Sequence, residues 1–218
     1  SLYDITEQGN FEGENIPHLP HSVEAFAANA GISSAALSAD LEGWRKLLLS
    51  AREKRVKPLR DEKILTAWSG LMIAALAKGF AVTGVRRYLD AAAGGVKFVR
   101  KHLMAADGRL MRSCYAGESA IPGFLEDYAF FVWGLIEMYG ATLEEEYLLD
   151  AIALSKETLR LFVDEFSFGL FDSGSDMENV LVRKKSAVDG VIPSGNSVAA
   201  MNFLRLGRIT AKQSFIKE

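Results

Sequence analysis

The sequence predicts an all-α protein, a partial α/α toroid of helical hairpin repeats amounting to about half of an (α/α)6 barrel. Three observations lead there. The run from Asp61 to Phe80 is apolar nearly all round, with Ile64, Leu65, Trp68, Leu71, Met72, Ala75, Leu76 and Gly79 on one broad face. A helix apolar on every side is expected to be buried on every side. Weaker copies of it follow: Leu76, Leu135 and Leu204 stand 59 and 69 residues apart, and at those offsets Trp68, Asp127 and Asn196 coincide, as do Thr83 with Thr142 and Tyr88 with Tyr147 and Ile216. Amphipathic stretches lie between the copies. A buried inner helix alternating with an amphipathic outer one describes hairpins that must stack on their neighbours to bury the inner layer.

The elements follow in order. Residues 1–20 are irregular, with Gly9, Asn10, Gly13, Pro17 and Pro20 interrupting any period, and residues 21–218 are expected to form the toroid fragment. Ser22 caps a short helix to Ala30, and Gly31 stops it. Ser38 or Asp40 then caps a helix running to about Val56, with Leu41, Trp44, Leu47, Leu48 and Ala51 as its apolar stripe and Pro58 beyond its end. The first inner helix runs from Asp61 to about Val82 and is closed by Thr83-Gly84. An amphipathic helix covers Arg87 to Met104, with Tyr88, Leu89, Ala92, Val96, Val99 and Leu103 inward. Arg109 to Tyr115 alternates as a short strand. Glu126 opens the second inner helix, through Met138, and an outer helix holds Tyr147, Leu148, Ala151, Leu154, Leu159 and Phe162. Strand-like pieces at 169–172 and 180–184 place short β-hairpins in the long loops. Pro193-Ser194-Gly195-Asn196-Ser197 opens the third inner helix, through Leu206.

Composition narrows the function. The chain has 218 residues, 49% hydrophobic and 24% charged, and a net charge of −3, which gives no general case for nucleic acid. The local basic cluster from Arg45 to Lys63 reads as the solvated side of a helix, with an anion or partner site as the alternative. Cys114 is the single cysteine, and His18, His21 and His102 are scattered, so neither a disulfide, a redox pair, a cofactor nor a metal centre is expected. The inner helix is too polar at its start, and too interrupted at Ser69-Gly70, to predict a membrane span. No signal peptide opens the sequence, the default setting is cytoplasmic, and the chain reads as a piece of a longer protein.

All the long loops precede inner helices, so they gather at one end of the toroid, where the helix N-termini point. The candidate chemistry collects there: Asp61, Glu126 and Asp127 as candidate catalytic carboxylates, and Trp68, Ser69, Tyr128, Arg183, Asp189, Ser194 and Asn196 as candidate substrate-binding groups. Asp61, Asp127, Ser194 and Asn196 are also good helix caps, and capping alone would account for them. Aromatic faces and carboxylates converging in a concave mouth suit a small carbohydrate, and paired carboxylates can serve glycoside hydrolysis. The absence of histidine from these motifs disfavours an epimerase that needs a histidine base.

The segments Asp61-Glu62-Lys63-Ile64-Leu65-Thr66-Ala67-Trp68-Ser69-Gly70-Leu71-Met72 (with Lys54-Arg55-Val56-Lys57-Pro58 before it), Glu126-Asp127-Tyr128-Ala129, Pro193 to Ser197 and Gly9-Asn10-Phe11-Glu12 resemble the thioredoxin-domain-containing family that includes spermatogenesis-associated protein 20. The resemblance runs over the whole chain. It implies a toroid similar to N-acylglucosamine 2-epimerases and six-hairpin glycosidases, of which this chain holds the first half and none of the thioredoxin-like domain. That family has asparagine after the tryptophan where this chain has Ser69, which removes an amide from the motif. Two functions follow: a carbohydrate-active or carbohydrate-binding domain, or a non-catalytic module packing against its own thioredoxin-like domain or other partners. A half toroid also leaves terminal inner helices open, so self-association across them is expected.

Overall fold

The computed structural model describes residues 1–119, 121–177 and 181–211. These fall into two compact units, Ser1–Arg60 and Asp61–Glu218. In the first, α1 (Val23–Ala30) starts at Ser22, whose side chain accepts from the Ala25 N–H, and ends at Gly31 in the left-handed conformation. The second helix, α2 (Ser34–Glu53), is capped by Ser33, earlier than the Ser38 or Asp40 expected. Its apolar stripe is only half used. Leu37 and Leu41 pack with Ala27, Val23, Phe26, Leu2 and Tyr3, whereas Trp44, Leu47 and Leu48 are exposed. Asn10 ties the preceding loop together, donating to the Asp4 and Ile16 carbonyls and accepting from the Ile16 N–H.

The second unit is a row of hairpins. Inner helices α3 (Thr66–Thr83), α5 (Leu125–Thr142) and α7 (Gly195–Thr210) lie side by side, α5 packing between the other two, and outer helices α4 (Arg86–His102) and α6 (Glu145–Phe162) cover them. Apolar surface explains the order. Leu89, Ala92, Val96 and Val99 of α4 and Tyr147, Ala151, Leu154 and Phe162 of α6 turn inward as the period requires, and α5 buries Tyr128, Phe130, Phe131, Leu135, Ile136 and Met138. The α3–α5 contact is backbone to backbone. A Cβ on Gly70 would stand 2.5 Å from the Phe130 carbonyl carbon, and one on Gly134 3.0 Å from the Gly70 oxygen. Small residues at this crossing let the two backbones touch.

The repeat is carried into geometry. Thr83 and Thr142 each donate to the carbonyl four residues back, Gly79 and Met138, and accept from the N–H two residues on, Val85 and Glu144. Gly84 and Leu143, again 59 residues apart, are both left-handed residues closing their helices.

Four expectations are corrected. α3 begins at Thr66, because Ile64–Leu65 forms a strand (β1) antiparallel to Ser113–Tyr115 (β2), with Glu118–Ser119 (β3) on the other side of β2. Nor is α3 buried all round: Trp68, Met72 and Val82 are exposed, and among the described residues its helix packing is mainly against α4 and α5. By length and composition α3 is a candidate membrane span, yet its Gly70 is in backbone contact with α5. Around 169–172 there is only an isolated bridge, Val163 with Leu170. Residues 181–184 form no strand, although the Asp172 N–H donates to the Lys184 carbonyl; Val180 and the expected coincidence at Ile216 lie outside the described residues.

Candidate functional site

The N-terminal ends of α3, α5 and α7 carry most of the candidate residues, and residues 110–112, just before β2, join the first two. The Thr66 N–H donates to the Arg112 carbonyl and the Thr66 hydroxyl to the Met111 carbonyl at 2.6 Å. The same segment also holds the approach to α5, through Arg112 N–H to Ile121 and Gly123 N–H to Leu110. Asp127 fastens this arrangement. One carboxylate oxygen accepts from the Ala67 N–H at 3.0 Å, and the other from the Phe124 N–H at 2.8 Å. Asp127 is buried, and that burial pushes its pKa up to about 6, against the pull of the two N–H groups and of Arg112, 3.7 Å away.

Trp68 and Glu126 are the chain neighbours of Ala67 and Asp127. Trp68 is 63% exposed. Glu126 pairs with Arg112 at 3.0 Å, both side chains about one-third exposed, and the guanidinium lies 4.7 Å from the Phe124 ring centre. Tyr128 is fully buried. Its hydroxyl accepts from the Leu110 N–H and from Arg109, and Arg109 forks onto Asp176 at 2.7 and 3.1 Å and reaches the Gly123 carbonyl. Asp61 is exposed and accepts from the Lys63 N–H, which holds its carboxyl below the usual range. The Ser69 hydroxyl donates back to the Leu65 carbonyl.

The α7 end is a separate network. Ser194 caps the helix through the Ser197 N–H, and Asp189 accepts from the Ser194 N–H and the Ser197 hydroxyl, bonds that lower its pKa. Asn196 accepts from the Leu170 N–H and donates to the Leu170 and Ser186 carbonyls. Arg183 donates to the Ser173 and Leu161 carbonyls over the ring of Phe171. Thus Asp127 and Asn196, matched by the repeat, do the same work of tying a helix start to neighbouring backbone. Trp68, at the third matched position, does not.

The structure therefore joins the starts of α3 and α5 through Ala67 and Asp127, the chain neighbours of Trp68 and Glu126, and sets Asp189, Ser194 and Asn196 in a second group. Sequence reading missed Arg109, Arg112 and Asn202, whose amide donates to the Ala129 carbonyl across the α5–α7 contact. The available signals were an asparagine at an inward position of α7, and two arginines three residues apart in the segment leading to the carboxylates. Among the described residues, no group of three or more His, Cys, Asp or Glu side chains is arranged to hold a metal ion.

No family model matches the sequence. Human spermatogenesis-associated protein 20 is 38% identical over 234 aligned residues, covering 98% of this chain, and the rat protein is 37% identical over 95% of it. The chain spans only about 30% of the length of these relatives. An uncharacterised Caenorhabditis elegans protein is 32% identical over 98% of the chain. Among solved structures, cellobiose 2-epimerase from Bacillus thermoamylovorans superposes with a TM-score of 0.60 at 17% identity, over 73% of this chain and 43% of that one. A family GH76 α-mannanase of Bacteroides thetaiotaomicron gives 0.57 at 16% identity, over 74% and 40%. At such identities these likenesses establish the fold. The chain is a homologue of a C-terminal part of spermatogenesis-associated protein 20, folded as about half of an α/α toroid.

Proposed function

We propose that the second unit supplies part of the wall of a carbohydrate-binding site at the N-terminal ends of α3, α5 and α7. One observation carries this reading: Trp68 is largely exposed on the first turn of an inner helix, while Thr66, Ala67 and Gly70 around it are buried. An exposed indole on the helix that the Ala67–Asp127 bond joins to α5 offers a stacking face for a pyranose ring, and the partly exposed Glu126–Arg112 pair at the start of α5 offers donors and acceptors for its hydroxyls. Glu126 is the accessible carboxylate and Asp61 a second, so a hydrolytic role would fall to these two. Asp127 acts through position, holding the starts of α3 and α5 in register. Ser69 and Tyr128 act at the α3 and α5 starts, and Arg183, Asp189, Ser194 and Asn196 in the separate network at the α7 start, each through bonds to backbone and neighbouring side chains. The solved neighbours, an epimerase of cellobiose and a mannanase among them, make a small neutral saccharide the ligand to try first. A cytoplasmic setting goes with this reading.

A second reading, a non-catalytic module that packs against other domains, is favoured by a different fact: Asp127, Arg183, Asp189 and Asn196 spend their polar atoms inside the chain. Calorimetric titration with neutral mono- and disaccharides separates the two. The first reading expects saturable binding that Trp68→Ala weakens at least tenfold with folding unchanged. A folded chain that binds none of them, or binds equally well without the indole, leaves the second.

A further inference from the structure

In the first unit, half of one helix face is left uncovered. Leu37, Leu41, Trp44 and Leu48 of α2 follow one another at helical spacing and form a single stripe, with Leu47 and Ala51 along its edge. Helix α1 has eight residues against the twenty of α2, about 12 Å of length against about 30 Å, so it reaches only the beginning of that stripe. Leu37 and Leu41 are buried there, whereas Trp44, Leu47 and Leu48 are 52%, 70% and 71% exposed.

The charges around the open half are sorted. Residues 44–57 hold six basic side chains and one acidic one, in a chain whose net charge is −3. Arg45 and Arg52 each stand four residues after a leucine of the stripe, Leu41 and Leu48, and so flank it. The carboxylates lie elsewhere: Glu42 and Glu53 are on the far side of α2 with Lys46, and Asp40 is one turn before Trp44. The two glutamates are also occupied, Glu42 with Arg45 and Lys46 at 3.9 Å and Glu53 with Lys57. Among the described residues, Arg52, Lys54 and Arg55 have no ion pair. Past the helix end, Val56 and Leu59 are fully exposed among Arg55, Lys57 and Arg60.

An apolar stripe edged by arginines and followed by a mixed basic and apolar segment has the chemistry of an interfacial helix. The indole and the leucines need an apolar phase, and the guanidinium and ammonium groups an anionic layer directly above it. The aliphatic stems of Arg and Lys reach from one to the other. A bilayer with acidic headgroups presents those two layers in that order. It also accepts apolar side chains that share no rigid face, such as Leu49 off the stripe and Val56 and Leu59 beyond the helix, all exposed. A preformed protein groove reads anchors on one helix face only.

We propose that α2 and the segment after it form a peripheral docking surface for an anionic phospholipid membrane. The helix lies in the plane of the interface, with Trp44, Leu47 and Leu48 toward the acyl chains and Arg45, Arg52, Lys54 and Arg55 among the headgroups. This surface belongs to the first unit alone and does not depend on the saccharide site.

Flotation with lipid vesicles tests this on the 218-residue chain. Vesicles of equal parts phosphatidylcholine and phosphatidylserine are expected to carry the chain up a density gradient, and added salt to release it. Vesicles of phosphatidylcholine alone are expected to bind at least tenfold more weakly. Trp44→Ala and Leu48→Ser are each expected to weaken binding to the acidic vesicles by about tenfold. Both residues are exposed, so circular dichroism is expected to show folding unchanged. Arg52→Gln is expected to weaken binding about fivefold, and Lys46→Gln, the same loss of charge on the far side, by less than about twofold. No binding to acidic vesicles overturns the proposal and leaves this face to a protein. Equal binding to neutral vesicles overturns it. So do equal losses from Arg52→Gln and Lys46→Gln, which mean attraction by net charge alone. Binding that survives both Trp44→Ala and Leu48→Ser places the contact elsewhere on the chain and overturns it as well.

Discussion

Replacing Asp127 with asparagine tests the joint between α3 and α5 most directly. The carboxyl titrates near 6 in the folded chain because it is buried, against an ordinary value of 3.8. The folded state therefore binds a proton more readily than the unfolded one. The stability from this group is fully present below 3.8 and is lost as pH rises through 6. The displacement of the folded pKa from the ordinary value corresponds to about 3 kcal/mol between those limits, of which on the order of 1 kcal/mol is recovered on going from pH 7 to pH 5. Asparagine keeps the shape and one acceptor but turns an NH2 group toward the other backbone N–H, a loss of about 1–3 kcal/mol. It also removes the buried charge. At pH 7 the two effects nearly cancel, so Asp127→Asn is expected to unfold in urea with almost the wild-type free energy. At pH 5 the wild type gains and the variant does not, so the variant falls behind by on the order of 1 kcal/mol. Asp127→Ala, which leaves both N–H groups without an acceptor, is expected to cost about 2–4 kcal/mol at either pH. Urea unfolding followed by circular dichroism, with equal m-values as the check on two-state behaviour, reads these numbers. A wild-type-to-asparagine gap that stays constant from pH 7 to 5, or closes, would refute the reasoning. It would mean that the Ala67 and Phe124 N–H groups, rather than burial, set the ionisation of Asp127.

Other outcomes follow from the packing. Gly70→Ala drives a Cβ into the Phe130–Phe131 backbone, which cannot rotate away, and is expected to cost at least about 3 kcal/mol in the same urea assay. Leu143→Gly relieves an exposed leucine held at φ 60 at the end of α5, and is expected to raise stability by about 1 kcal/mol, seen as a higher thermal midpoint. Arg109→Ala removes the link between Asp176, Tyr128 and the Gly123 carbonyl, at an expected cost of about 3–5 kcal/mol. Tyr128→Phe, which takes away only the acceptor of the Leu110 N–H and Arg109, is expected to cost about 1–3 kcal/mol, and the ordering of these two in parallel melts checks the assignment.

Much of the architecture is legible in the sequence because it is written in local periodicity. Apolar runs locate the inner helices, and Gly84 marks the end of α3 because a left-handed residue is easiest as glycine. Spacing alone pairs Thr83 with Thr142, and their identical bonds bear that pairing out. The start of α3 is misjudged from sequence because Ile64 and Leu65 pair with strand residues 50 and 48 positions later, and no local signal competes with that pairing.

The candidate site divides the same way. The sequence by itself placed Trp68, Glu126, Asp127 and Asn196 at one class of helix start, because a repeat of inner and outer helices puts equivalent positions at one end. Tertiary structure decided what each does there. Asp127 is spent on the Ala67 N–H 60 residues earlier, Arg109 on Asp176 67 residues later, and Asn196 on Leu170, whereas Trp68 is left facing outward. Helical period is a property of neighbouring residues and can be read along the chain. Whether a polar or aromatic side chain is consumed or left open depends on which distant backbone groups the packing brings within reach.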